Sequence, residues 1–318
     1  MIDFRYHLVS LIAVFLAVAL GIVIGTTALN NPISADIEAR VDQLEQDKRQ
    51  LEDRTRALTT QVEGADAFEQ AVAPALVDGT LADSDVLVVA TSETSTPELV
   101  EQVSGLLVQA GATVSGVVRL QPGFSDPAGA AALQNYVTSP GIPAGVQLPT
   151  TDDTGQLVGA LLAQALMVPT GAGAGAPDTE DVSSVLAGLS ALDVLTVESS
   201  SVEPADYAVV LTAEGPESDA TDRTGTLVEL VSALDSAGAG AVVAGTADAT
   251  PDDALVGAIR ADPELSAAVS TVDNVDRAAG RISTVLALGQ EAEGTSGMYG
   301  TGEDTQPVPP LPDAAPAP

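Results

Sequence analysis

One stretch limits this chain before any other: from Leu8 to Leu29 no side chain carries a charge. As a helix these 22 residues rise about 33 Å, enough to cross a bilayer core. The flank before the run holds Phe4, Arg5, Tyr6 and His7, and the flank after it holds Asp36 and Glu38 ahead of any basic residue. That bias predicts a cytoplasmic N-terminus over 1–7, a transmembrane helix over 8–29, and an extracytoplasmic remainder. The rival reading is a signal peptide cut near Thr26-Thr27-Ala28. The run is longer than an ordinary h-region and its start is barely positive, which favours an uncleaved anchor. Ala17, Gly21 and Gly25 repeat a small residue every four positions, so Gly21 and Gly25 are candidate contacts between two such helices.

Composition then removes function classes. The chain of 318 residues has 45 acidic and 11 basic side chains and no cysteine. Disulfides, thiolate metal sites and cysteine nucleophiles are excluded. A formal charge of -34 argues against nucleic acid as a partner. The single histidine, His7, rules out histidine-cluster metal sites and argues against Ser-His-Asp catalysis. No nucleophile–base pair is visible, so an enzyme is not expected.

Beyond Asn30-Asn31-Pro32 the apolar pattern changes period. Ile37, Val41, Leu44, Lys48, Leu51, Thr55, Leu58 and Val62 follow at alternating spacings of four and three. This is a heptad with Ile37, Leu44, Leu51 and Leu58 at d and Val41, Lys48, Thr55 and Val62 at a. It predicts a coiled-coil stalk over 33–65 and a parallel homodimer or higher oligomer. Arg40 can reach Glu45 of a second chain, whereas Asp47 would face Glu52. The competing reading is one amphipathic helix packed on its own domain.

From 66 to 291 the text reads as an α/β domain with a mostly parallel sheet. The runs 85–91 and 113–118 flank a helix opened by Thr96 and Pro97, which makes a βαβ unit. The runs 207–213 and 241–246 flank a helix over 226–237. Residues 128–168, 179–191, 252–259 and 278–288 read as helical. Strands that are apolar throughout imply a sheet buried on both faces. The segment 170–177 reads as a connector, and 292–318 as a Gly/Pro-rich disordered tail.

Candidate sites are sparse. Gly171, Gly173 and Gly175 lack the strand-to-helix context of a dinucleotide fingerprint. The turn 91–96 lies where α/β sheets bind ligands, but it has no glycine cradle and no basic residue, so a capped loop is the better reading. Asp152-Asp153 and Asp252-Asp253 read as helix N-terminal acids rather than a hard-cation site. Soft-metal ligands number four: Met1, Met167, Met298 and His7. Met167 reads as core, and Met298 sits in the exposed-looking Ser296-Gly297-Met298-Tyr299-Gly300-Thr301-Gly302. No cofactor is predicted from these residues.

The opening, Met1-Ile-Asp-Phe-Arg-Tyr-His-Leu-Val-Ser-Leu-Ile-Ala-Val-Phe-Leu-Ala-Val-Ala-Leu-Gly21, closely resembles the start of the actinobacterial MctB-type copper transport proteins. The coil, the α/β body and the closing Ser296-Gly297-Met298-Tyr299-Gly300 are similar too. The resemblance implies a role in copper efflux or homeostasis, described for the mycobacterial member as pore formation in the outer envelope. It also implies a second role, as a membrane-anchored coiled-coil scaffold that regulates a cell-wall hydrolase at division. By this resemblance copper is the metal, with Met298 and His7 as weak candidate ligands. The residues sit awkwardly with a barrel pore, since no series of strands of about ten alternating residues is present.

Overall fold

The structure, a computed structural model, describes residues 4–91, 95–139, 142–143, 145–170, 175–213 and 220–311. At 4, 26–36, 38–39 and 220–222 it describes the backbone alone. The chain divides into two units, Met1–Ala65 and Asp66–Pro318.

A single helix, α1 (Phe4–Val77), supplies the first unit. Its backbone runs through Asn30-Asn31-Pro32 without a break: one proline removes one backbone hydrogen bond, and long helical flanks carry the turn. Arg5–Gly25 is apolar and long enough to cross a membrane. Farther on, Arg49 pairs with Glu45 at 2.8 Å, Lys48 with Glu52 at 3.6 Å and Arg56 with Asp53 at 2.7 Å. Exposed pairs of this kind contribute about 0.3–0.5 kcal/mol each.

The second unit takes in the last turns of α1, where Ala73 and Val77 are buried beside Leu81. There follow β1 (Asp85–Ala90), α2 (Pro97–Gln109) and β2 (Thr113–Leu120). Thr96 caps α2, its Oγ1 accepting from the Leu99 N–H at 3.3 Å, and Pro97 occupies the first turn. Next come α3 (Ala130–Val137), α4 (Thr154–Leu166), α5 (Thr179–Ala191) and β3 (Leu195–Val197). The chain continues through β4 (Tyr207–Thr212), α6 (Ala220–Ala237), β5 (Gly240–Gly245), α7 (Leu255–Ala261) and α8 (Pro263–Ala268). It ends with β6 (Ser270–Val272), α9 (Ala278–Ala292) and β7 (Met298–Tyr299).

Among the described residues the strands make one seven-stranded sheet, ordered β3-β2-β1-β4-β5-β6-β7. Every pair is parallel except β2 with β3. Strand residues alternate between two cores. Leu87, Val89, Ala208, Val210, Ala241 and Val243 face α3 to α7. Val86, Val88, Val209, Leu211, Val242 and Ala244 face the end of α1, α2 and α9. Both faces are therefore covered, which is why the strands read as unbroken apolar runs. The first crossover, through α2, and the fourth strand's, through α6, lie on opposite faces and advance in opposite directions, so they share one hand. The β6–α9–β7 connection advances as β4–α6–β5 does but on the other face, so its hand is opposite.

Three expectations are corrected. Residues 128–168 are not one helical region: α3 and α4 are separate, with Pro143, Gly145 and Pro149 between them. The helix expected from Asp252 starts at Leu255, and Asp252 and Asp253 precede it without capping it. Asp153, by contrast, does cap α4, accepting from Gly155 N–H at 2.8 Å. Residues 292–311 are not a structureless tail, because β7 pairs with β6 and Gln306 pairs with Tyr299. The glycines there permit a tight return that composition mimics as disorder. The last prolines, at 312, 316 and 318, the connector residues 171–174 and residues 92–94 of the 91–96 turn lie outside the described residues.

Candidate functional site

In an open parallel sheet the crevice for a ligand forms where strand order reverses, here between β1 and β4. Ser95 is fully buried there, and its Oγ donates to the Leu211 carbonyl at 3.1 Å. Sequence reading found no basic residue at this turn; the fold supplies one from β2. Arg119, 7% exposed, donates through Nη1 to the Ser95 carbonyl at 2.7 Å and pairs through Nε with Glu198. The guanidinium is thus engaged in tying the turn to the sheet edge. The Thr91 hydroxyl is buried and has no hydrogen-bond partner among the described residues. Arg119 could not be assigned from sequence, because its neighbours come from positions 24 and 79 residues away.

At the far edge the closing motif is clasped. Asp273, at the end of β6 and 1% exposed, accepts from the Thr301 N–H at 2.7 Å and the Gly302 N–H at 3.0 Å. It also pairs with Arg260 at 2.9 Å. Arg260 spends its other donors on Thr271 Oγ1 at 2.9 Å and the Tyr299 carbonyl at 3.0 Å. Gly300 has φ +130, a region L side chains avoid, and a Cβ there would collide with the Asp273 carboxylate. The motif is therefore a surface turn closed over a buried acid, with Tyr299 packed in the core.

At the opposite end of the same strands sit two acids, Glu291 buried and Asp235 half-buried. Glu291 accepts from the Ser270 N–H at 2.8 Å, and Asp235 accepts from the Ala241 N–H at 3.1 Å. Burial pushes the Glu291 carboxyl up to about 7; Asp235 adds to the rise and the bonds from Ser270 oppose it. Burial also raises Asp235 and, with help from Glu291, the Tyr299 phenol. A third cluster docks the end of α1. Ala278 N–H and Ala279 N–H at the start of α9 donate to Asp66 at 3.4 Å and Glu69 at 3.0 Å, and Arg277 pairs with Asp66 at 3.1 Å. Two acids from α1 thus complement the N-terminal dipole of α9.

The soft ligands are not gathered. Met167 is wholly buried after α4, Met298 is half-buried on β7, and His7 is exposed on α1 in the other unit. Among the described residues no group of three or more His, Asp or Glu could hold a metal ion. The heptad positions are all open to solvent in the single chain: Ile37, Val41, Leu44, Leu51, Leu58 and Val62 are exposed, as are Lys48 and Thr55. Around Gly21 and Gly25 no other atom approaches where a Cβ would stand.

The chain matches the family described as "Copper transport outer membrane protein, MctB" over residues 1–310. It is 32% identical over 313 residues to proteins of Mycobacterium tuberculosis and Mycobacterium bovis named "Copper transporter MctB", covering 97% of this chain and 99% of each relative. The Mycobacterium leprae protein of the same name is 33% identical over 324 residues, covering 95% and 97%.

Proposed function

The chain belongs to the family of copper transport outer membrane proteins typified by MctB, and from that premise we propose that it serves copper efflux as a single-pass, dimeric envelope protein. The observation that carries the copper reading is the end-to-end match to relatives named as copper transporters. Copper is the cargo, and the protein is not an enzyme. The N-terminus is cytoplasmic and the acidic second unit extracytoplasmic, in keeping with Arg5 before the span and Asp36 and Glu38 after it.

The partner is a second copy, in parallel. An exposed row of Ile37, Val41, Leu44, Leu51, Leu58 and Val62 supports this, because a heptad seam is a stable surface only when a matching seam covers it. Two anchors in one membrane give both copies the same direction. Gly21 and Gly25 continue the contact within the bilayer. Lys48 and Thr55 at a positions lower stability and fix register. The anchor itself carries no charge to line an ion path, so the protein supports copper export by assembling or by assisting another exporter.

The experiment measures cell-associated copper and growth under copper stress in a strain lacking the protein. Complementation by the natural chain should restore both, and a variant with Leu44, Leu51 and Leu58 all changed to Gln should not. Copper levels unaltered by the deletion would refute the efflux reading. If septation or wall integrity changed instead, the exposed seam would belong to an envelope scaffold that holds a wall hydrolase. Full rescue by the seam variant would refute the dimer.

A further inference from the structure

Past Val62 the heptad of α1 meets the chain's own body. In unchanged register its next positions are Ala65, Glu69, Val72 and Leu76. Two of these are already committed within the chain. Glu69 accepts from the Ala279 N–H at the start of α9 at 3.0 Å, and Leu76 packs against the core that holds Ala73 and Val77. Asp66, beside the same line, pairs with Arg277 at 3.1 Å. One flank of α1 is therefore occupied by α9 and the core beneath it.

A different row stays open. Phe68 is 67% exposed, Ala75 is exposed, and Val72 between them is half-buried. The Phe68 ring belongs to neither hydrophobic core. Phe68, Val72 and Ala75 are spaced four and three, the same rhythm as the stalk. They join it through one irregularity, because Val62 to Ala65 and Ala65 to Phe68 are both steps of three. An insertion of this kind overwinds a coiled coil locally and carries its seam to a new flank. The new flank is the free one: Phe68 stands about 140° round the helix from Ala73. Beside the row lie Gly64 and Ala71, small, uncharged and exposed, while Glu69 is held by α9. No like charges then oppose each other across the row, although the chain carries -34 overall.

We propose that Phe68, Val72 and Ala75 form a second contact between two copies of this chain, beyond the stalk, in which Phe68 packs on Phe68 of the partner subunit. The contact rests on the parallel dimer and extends it into the second unit. In a parallel pair each seam residue meets its own counterpart, so two rings arrive at one level. Aromatic pairs contribute beyond the area they bury. A second copy is the occupant because the row continues the stalk's spacing on the same helix, and a parallel stalk delivers the matching row alongside.

The test is disulfide cross-linking of the full chain in detergent micelles. The natural chain has no cysteine, so each introduced thiol reports alone. Leu44→Cys reads the stalk. Phe68→Cys and Ala75→Cys read the shifted row, the latter with the ring still in place. Glu69→Cys reads the unshifted register, and Ala67→Cys, exposed on another flank, gives the background. Mild oxidation should link the Leu44→Cys, Phe68→Cys and Ala75→Cys chains and leave the Glu69→Cys and Ala67→Cys chains single. Phe68→Ala removes an exposed ring that the fold does not use, and should weaken dimerisation by about tenfold in sedimentation equilibrium. Linking at Leu44→Cys without Phe68→Cys and Ala75→Cys, or equal linking at Glu69→Cys, overturns the shifted row and leaves the dimer standing. A Phe68→Ala chain that dimerises as tightly as its parent overturns the ring contact. Failure to link at every position overturns the dimer itself, and the row with it.

Discussion

Replacing Asp273 by Ala tests whether the closing motif is held by the buried clasp. The carboxylate is 1% exposed and the Arg260 side chain 13%. Removing one member of a buried ion pair typically costs about 3–5 kcal/mol, because the other charge stays behind. Arg260 keeps its bonds to Thr271 and the Tyr299 carbonyl and retains some access to water, which points to about 3 kcal/mol from the charge. The Thr301 and Gly302 amides lose their acceptor; at a sheet edge that water can enter, this adds about 1 kcal/mol. The sum, about 4 kcal/mol, corresponds to a fall of roughly 8–16 °C for a unit of this size. The loss is global because Tyr299 is packed in the same core as Val272 and Val275. Thermal melts of the detergent-solubilised chain by circular dichroism would read it. Arg260→Met alone should cost a similar amount, and the double variant about 2 kcal/mol less than the sum of the two. A melting point within about 2 °C of the parent, or strict additivity, would show that the clasp is not what holds the motif.

Other perturbations follow from the same geometry. Glu291→Gln should change the pH dependence of global stability. A carboxyl raised from 4.5 to about 7 contributes fully below the lower value and loses on the order of 3 kcal/mol as pH climbs past the upper one, so the variant's urea midpoint should fall less from pH 4.5 to 8. Gly300→Ala meets both a positive φ and the Asp273 carboxylate; a cost of about 2–3 kcal/mol in urea unfolding is expected, and a neutral result would refute the turn geometry. Thr96→Ala removes the α2 cap and should cost about 1 kcal/mol, with Thr96→Ser near parental stability.

Much of the fold is legible because local chemistry and tertiary role agree. Thr96-Pro97 opens α2 where it should, and the apolar runs at 85–90, 207–212 and 240–245 are strands buried on both faces. What stays hidden depends on distant partners. β3 and β6 have three residues each, too short for a period to show. The 297–302 turn looks disordered because its glycines signal flexibility, while the acid that immobilises it lies more than twenty residues earlier. Arg119 and Glu291 carry no local signal of their roles, which appear only when the fold brings Ser95 and Glu198 to one and Ser270 to the other. The heptad is a pattern of spacing alone, and in the single chain its apolar positions stand exposed on α1.

The sheet's order sets a schedule for synthesis. β1 lies between β2, which the chain makes next, and β4, whose entry is marked by the Asp85 N–H bonding the Asp206 carboxylate across 121 residues. At about 5–20 residues per second, β1 emerges roughly ten seconds before its second neighbour exists. During that interval an apolar strand edge stands open, able to pair with any extended chain nearby. A growing chain of this kind needs a holding chaperone, or crowding low enough that the wait passes without aggregation.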